Sequence, residues 1–248
     1  YATVNGNNSS LYALGREANE ELEIAREKVA KAIGADTDEI FFTSGGTEAN
    51  NWAIKGIARA NKSRGNHIIT SQVEHPSVLE SCKELEREGF KVTYVPVDEY
   101  GVVDYASIIK AIGPDTILIS IMTANNEVGS LQPIRAIAEL ALQNEVYFHT
   151  DAVQAIGALN INVKELGVDL LTISAHKING PKGVGALYVK KGTKIEKFMA
   201  GDAQESGLRA GTANVPACAG FGVAIEEATT NLDEKVREVR VVRKYFQK

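Results

Sequence analysis

Short apolar runs alternate along this chain with longer stretches of helical period, and that rhythm restricts the fold more than any other feature. After a polar, turn-rich opening over residues 1–10, an Ala/Leu/Ile stripe predicts a helix over residues 11–33. Strands are predicted at 39–44, 67–71, 91–97, 116–122, 146–150, 169–174 and 183–189. Helices are predicted at 48–61, 76–88, 105–112 and 133–144, with Pro76 suited to a first helical turn. Residues 217–248 read as largely helical and end in a charged run. The alternation implies an α/β domain with a mostly parallel sheet and helices on both faces. With 248 residues and a hydrophobic fraction of 44%, the chain can bury a sizeable core.

Several function classes fall away early. A formal net charge of -5 gives no electrostatic footprint for nucleic acid. No apolar run is long enough to span a bilayer and no signal peptide is visible, so a cytoplasmic protein without a membrane partner is expected. Cys82 and Cys218 stand far apart, outside any CxxC spacing, which argues against a disulfide framework. His67, His75, His149 and His176 form no HExxH, and no metal site is expected.

In a sheet of this kind, sites gather at the C-terminal ends of strands. The chain places its polar motifs there. Ser44-Gly45-Gly46-Thr47 ends a strand and opens a helix. Free N–H groups at a helix start attract an anion, and glycine lets it come close. From these residues alone a plain helix cap at Thr47 is the favoured reading. Ser174-Ala175-His176-Lys177 delivers a lysine to a strand end. A desolvated amine there would suit Schiff-base chemistry, whereas a snorkelling lysine would be structural. Asp151 ends another strand, with Gln154 one short turn on. That carboxylate could pair with a pyridinium nitrogen or cap a helix. His75, between a strand and a helix, could stack on a flat ring and shuttle protons, or be structural. Each motif alone is weak. An anion cradle, a strand-end lysine, a strand-end aspartate and a stacking ring together suit pyridoxal phosphate (PLP) better than any rival considered.

Longer stretches carry a resemblance. FFTSGGTEANNWAIKG, EHPSVLESCKELEREGFKVTYVPVDEYG, ILISIMTANNEVGSLQPI, HTDAVQAIG, SAHKINGPKGVGALYV and GLRAGTANVP occur in order and span nearly the whole chain. The chain resembles the cysteine desulfurases of the nitrogen-fixation and iron–sulfur-cluster type, within the class V PLP-dependent aminotransferases. The EHPSVL, GPKG and GLRAGT forms resemble the first desulfurase group. The resemblance implies an aspartate-aminotransferase-like (fold type I) large domain over residues 1–228. Residues 229–248 would be a helix leading toward a C-terminal small domain that lies outside these residues. It implies an enzyme that converts L-cysteine to L-alanine and passes sulfur on as a persulfide. A homodimer and a sulfur acceptor or scaffold protein are the implied partners.

Residue by residue, the resemblance implies that Lys177 carries PLP and moves protons. Gly46 and Thr47 would hold the phosphate, helped by Ser174 and His176. Asp151 would pair with the ring nitrogen, and Gln154 and Asn126 would meet the ring hydroxyl side. His75 would stack on the ring and take part in proton transfer. Thr212 would reach the cofactor phosphate of the other subunit. Three departures stand out. Gly201-Asp202-Ala203-Gln204-Glu205 replaces the family's GGGQE, putting an aspartate near an expected phosphate site. Gly6-Asn7-Asn8-Ser9-Ser10 lacks the proline of GNPSS. The leading strand and the small domain, with its catalytic-cysteine loop and substrate-binding arginine, would lie outside the chain. Cys82 and Cys218 sit in apolar helical patterns and read as packing residues. Alternative readings are another class V enzyme, such as an aminotransferase or selenocysteine lyase, and a non-catalytic PLP-binding or scaffold fragment.

Overall fold

The computed structural model describes residues 6–10 and 12–246. The expected loop over residues 1–5, the helix start at Leu11 and the last two residues of the chain lie outside the described residues.

The strands are β1 (Ile40–Thr43), β2 (His67–Ser71), β3 (Lys91–Val95), β4 (Thr116–Ser120), β5 (Tyr147–Asp151), β6 (Leu170–Ser174) and β7 (Gly185–Val189). The helices are α1 (Ala13–Ile33), α2 (Gly46–Ala60), α3 (Pro76–Arg87), α4 (Tyr105–Ala111), α5 (Ile134–Gln143), α6 (Val163–Leu166), α7 (Val215–Thr229) and α8 (Leu232–Phe246). The strands form one seven-stranded sheet in the order β1-β7-β6-β5-β4-β2-β3. Pairing is parallel from β6 through β3, and β7 runs antiparallel to both of its neighbours. Because β7 reverses between them, β1 and β6 point the same way.

Every residue of β1, β2, β4, β6 and β7 is buried, as expected of strands covered on both faces. The side-chain period of two divides them between two cores. Ile40 and Phe42, Ile69, Leu171 and Ile173, and Ala186 and Tyr188 join α1, α5 and α7 on one face. Phe41, Ile68, Leu170, and Leu187 and Val189 join α2 and α3 on the other. Trp52 of α2 is fully buried there, edge-on to Phe41 at 5.5 Å, and its indole N–H donates to Glu196 O at 2.9 Å.

All the predicted strands and helices form, with ends moved by a few residues. Residues 217–248, read as largely helical, form two helices, α7 and α8, with a break at residues 230–231. The Thr229 and Thr230 hydroxyls donate back to Ile225 O and Glu226 O, Thr230 is extended, and Asn231 takes φ +52° before α8 begins. Short β-branched hydroxyl residues that bond to the preceding turn compete with helix continuation.

Candidate active site

The strand directions decide where the site forms. β1, β2, β4, β5 and β6 all end at one edge of the sheet, and β7 begins there, with Gly185 paired to both Thr43 and Ser174. Residues just beyond those ends therefore meet. Together they line a pocket of about 430 Å³ that includes Gly46, Thr47, His75, Asn126, Asp151, Gln154, Ser174, His176 and Lys177. Every site residue expected from the sequence is present except Thr212. A larger cavity, of about 580 Å³, is lined by Arg26, Glu205 and neighbours and includes none of these.

The cradle comes from β1 and α2. Gly45 has φ +148°, a conformation that suits glycine, and α2 begins at Gly46 rather than at Thr47, so Thr47 is not the cap. A Cβ on Gly46 would come within 2.9 Å of the Val153 side chain. The first N–H groups of α2 have no intrahelical acceptor, and the missing side chain at Gly46 lets the helix start pack against Val153 at the pocket wall. Glu48, in the first turn of α2, would oppose an anion. Burial alone would raise its carboxyl, but hydrogen bonds from Arg209 and from the Ser44 N–H overcome that and hold it below its ordinary range. Arg209 donates to it through Nε at 2.8 Å and Nη2 at 3.2 Å, which neutralises the charge beside the cradle.

Asp151 lies at the floor, 6% exposed. Its Oδ1 accepts from the Val153 N–H at 3.0 Å, and its Oδ2 accepts from Asn50 Nδ2 at 2.6 Å. Burial pushes this carboxyl up, against the pull of those two donors. A buried carboxylate with neutral partners is a socket for a cationic N–H brought by a ligand. Above it, His75 is half-buried and opens α3. Its Nδ1 accepts from the Ser77 N–H at 3.2 Å and lies 2.8 Å from Ser77 Oγ.

Ser174 Oγ and His176 Nδ1 lie 2.8 Å apart. His176 is held below its ordinary value by partial burial and then by the positive charges of Lys177 and Lys182. Lys177 follows β6 on a short 3₁₀ turn over Ala175–Ile178 and lines the pocket, but it is exposed. The sequence left open whether this lysine is desolvated or reaches water; this chain's own groups leave Lys177 exposed. Thr212 is exposed and lines a separate pocket with Arg209, Asn214 and Cys218. Asp202 lines the larger cavity near Arg26, so its charge does not enter the Gly46–Thr47 cradle.

Sequence reasoning missed three groups. Asn50 and Lys182 both line the pocket, and Glu74 lies buried behind it. Glu74 accepts from Ser71 Oγ at 2.7 Å and from the Met122 N–H at 2.9 and 3.1 Å, and burial pushes it up to about 8. Asn50 could have been found from its spacing, since it lies one helical turn beyond Gly46 and Thr47 on the same face. Cys82 and Cys218, read as packing residues, are 0% and 2% exposed, and burial pushes both thiols up to about 12. Among the described residues no cluster of His, Cys, Asp and Glu could hold a metal ion.

Comparison with known proteins gives the same direction. The family model described as "Aminotransferase class-V" matches residues 1–245. The chain is 56% identical over 241 residues to a cysteine desulfurase IscS of Dictyoglomus turgidum, covering 97% of this chain and 61% of that protein. A solved NifS-like protein superposes with a TM-score of 0.95 at 45% identity, over 97% of this chain and 66% of that one. A structure described as SspA in complex with cysteine superposes with a TM-score of 0.87 at 41% identity, over 90% of this chain and 65% of that one. The chain thus spans about three fifths of the curated relative's length.

Proposed function

The chain belongs to the aminotransferase class-V family, and on that premise we propose that it is the cofactor-binding part of a PLP-dependent cysteine desulfurase. The observation that carries this reading is the convergence of Lys177, Asp151, His75 and the α2 N-terminus on one pocket. The residues fit the cofactor: a glycine-rich helix start whose first N–H groups lie at the pocket wall, and a buried carboxylate whose partners in the fold are neutral.

PLP, when bound, supplies an electron sink for charge that develops at the substrate α-carbon. The N–H groups at the start of α2, with the Thr47 and Ser174 hydroxyls, would hold its phosphate. Asp151 would keep the ring nitrogen protonated. Asn126 and Gln154 would meet the ring hydroxyl, and His75 would cover the ring face. Lys177 Nζ would attach the cofactor and, once displaced by the substrate amine, would move the α-proton.

Sulfur release needs a thiolate placed at the substrate's sulfur. Buried thiols pushed up to about 12 are poorly suited to this, so the nucleophile is neither Cys82 nor Cys218. We place it, with the arginine for the substrate carboxylate, in a small domain beyond α8. Residues 1–228 would then be the PLP-binding domain, and 229–248 the helix leading out of it. The exposed Val239, Val242, Tyr245 and Phe246 of α8 suit such a role. Thr212, displaced from its own chain's pocket, suits a reach into a second subunit of a homodimer. A cytoplasmic enzyme handing sulfur to an acceptor or scaffold protein completes the reading; among the described residues no helix is long and apolar enough to cross a membrane.

The test is turnover by the complete polypeptide loaded with PLP. L-Cysteine should give alanine and sulfane sulfur in equal amounts. A keto acid product, or turnover of selenocysteine with none of cysteine, would move the chain to another class V activity.

A further inference from the structure

Asn50 holds two of the residues assigned above at the same time. Its side chain is 1% exposed. One amide hydrogen goes to Asp151 Oδ2 at 2.6 Å and the other to Ser77 Oγ at 2.9 Å, while Oδ1 has no partner. Leaving a buried acceptor unpaired is costly. Turning the amide over would be worse, because it would set Oδ1 against a carboxylate oxygen. The charge at Asp151 therefore fixes the amide's orientation. The orientation in turn fixes Ser77: its hydroxyl accepts from Asn50, so its single hydrogen is free for His75 Nδ1, 2.8 Å away. The Ser77 N–H points at the same nitrogen. With Nδ1 occupied as an acceptor, a neutral His75 ring carries its proton on Nε2.

We propose that Asn50 is a positioning residue that couples the Asp151 carboxylate to His75 through the Ser77 hydroxyl, adding to the Ser77 N–H in holding the His75 proton on Nε2. The geometry of this chain of bonds stands by itself; its use in catalysis rests on the PLP reading. Under that reading the group under the ring nitrogen and the group over the ring face are set together. The ring edge of His75 then offers an N–H rather than a lone pair.

The experiment uses the complete polypeptide without cofactor, labelled with ¹⁵N-histidine, His75 being assigned with H75Q. In the wild type His75 should show Nε2 protonated and Nδ1 as acceptor. N50D keeps the shape; its buried carboxyl shares a proton with Asp151 and accepts from the Ser77 hydroxyl, which turns toward it and leaves His75. The Nδ1–H form should rise about fivefold, the equilibrium weight of one ordinary hydrogen bond. S77A, which removes the relay and leaves the Asn50–Asp151 bond in place, should move His75 the same way. Circular dichroism establishes folding, and S77A decides alone if N50D does not fold. An unchanged His75 tautomer in the folded variants overturns the proposal, as does a shift in S77A with none in folded N50D. A second arm adds PLP and follows its absorbance against pH. In N50D the ring-nitrogen proton should be lost at a different pH from the wild type; an unchanged profile also overturns the coupling. Failure of the wild type to bind PLP would sink the functional reading and leave the tautomer result standing.

Discussion

Glu74→Gln should flatten the pH dependence of stability above pH 5. In the fold Glu74 is buried behind the pocket, and burial pushes its carboxyl from 4.5 to about 8, with the Asp151 charge adding to the rise. Unfolded, the carboxyl ionises near its ordinary value. Between those two points the folded protein holds a proton that the unfolded chain has released. The stabilisation is thus fully present below about pH 4.5 and is lost as pH rises through about 8. At about 1.4 kcal/mol per unit the ceiling is about 5 kcal/mol, and relaxation of the buried site reduces it to a few. Glutamine has the same shape and no proton to lose. His149 acts in the opposite sense: burial holds it at about 3, so its contribution is full above the ordinary 6.5 and is lost as pH falls toward 3. It is common to both proteins and drops out of the difference. Asp151 is raised too, and it will ionise somewhat more readily beside a neutral residue 74, which adds to the flattening. The assay is urea unfolding at pH 5 to 9, followed by the fluorescence of Trp52, the chain's one tryptophan and a fully buried one. The wild type should lose a few kcal/mol relative to Glu74→Gln between pH 5 and pH 8.5. Parallel curves would show that Glu74 is already ionised in the fold, and would refute the reasoning.

Two further outcomes follow from the site. Asp151→Asn in the complete polypeptide should still bind PLP but lose substrate α-proton exchange by about a hundredfold or more, measured by deuterium incorporation into L-cysteine analogues; unchanged exchange would reduce Asp151 to a turn-former. Cys82 and Cys218 should resist thiol reagents in the folded chain and label only at the rate of unfolding, checked by mass spectrometry; fast labelling of either, or persulfide on it after incubation with L-cysteine, would reopen its claim to be the nucleophile.

The sheet was legible in the sequence because strands buried on both faces must be apolar, and runs such as those ending at Ser71, Ser120 and Ser174 stop where polar residues begin. The pocket was legible for the same reason. Five parallel-running strands bring their following residues to one edge, so Gly46, His75, Asp151 and Lys177 could be grouped without coordinates. Asn50 was harder, because it lies inside a helix where an asparagine reads as a neutral surface residue. Its contact with Asp151 crosses about a hundred residues of sequence. Glu74 gave no sign of burial, since its partners are the Met122 backbone and the Ser71 hydroxyl. The environment of Lys177 could not be read from the sequence for a physical reason: β6 ends at Ser174, and the following turn buries Ala175 and Ile178 while it points Lys177 outward. The break between α7 and α8 depended on the side-chain hydrogen bonds of Thr229 and Thr230, which compete with a helix that composition alone would continue.

The central claim, that this edge of the sheet binds PLP through Lys177, is tested most directly by borohydride reduction. PLP is added to the protein, the bond is fixed by reduction, and peptides are mapped by mass spectrometry. The account predicts one phosphopyridoxyl group on Lys177, abolished in Lys177→Ala. Modification of Lys182 in its place, or labelling spread over surface lysines at equal yield, would contradict it.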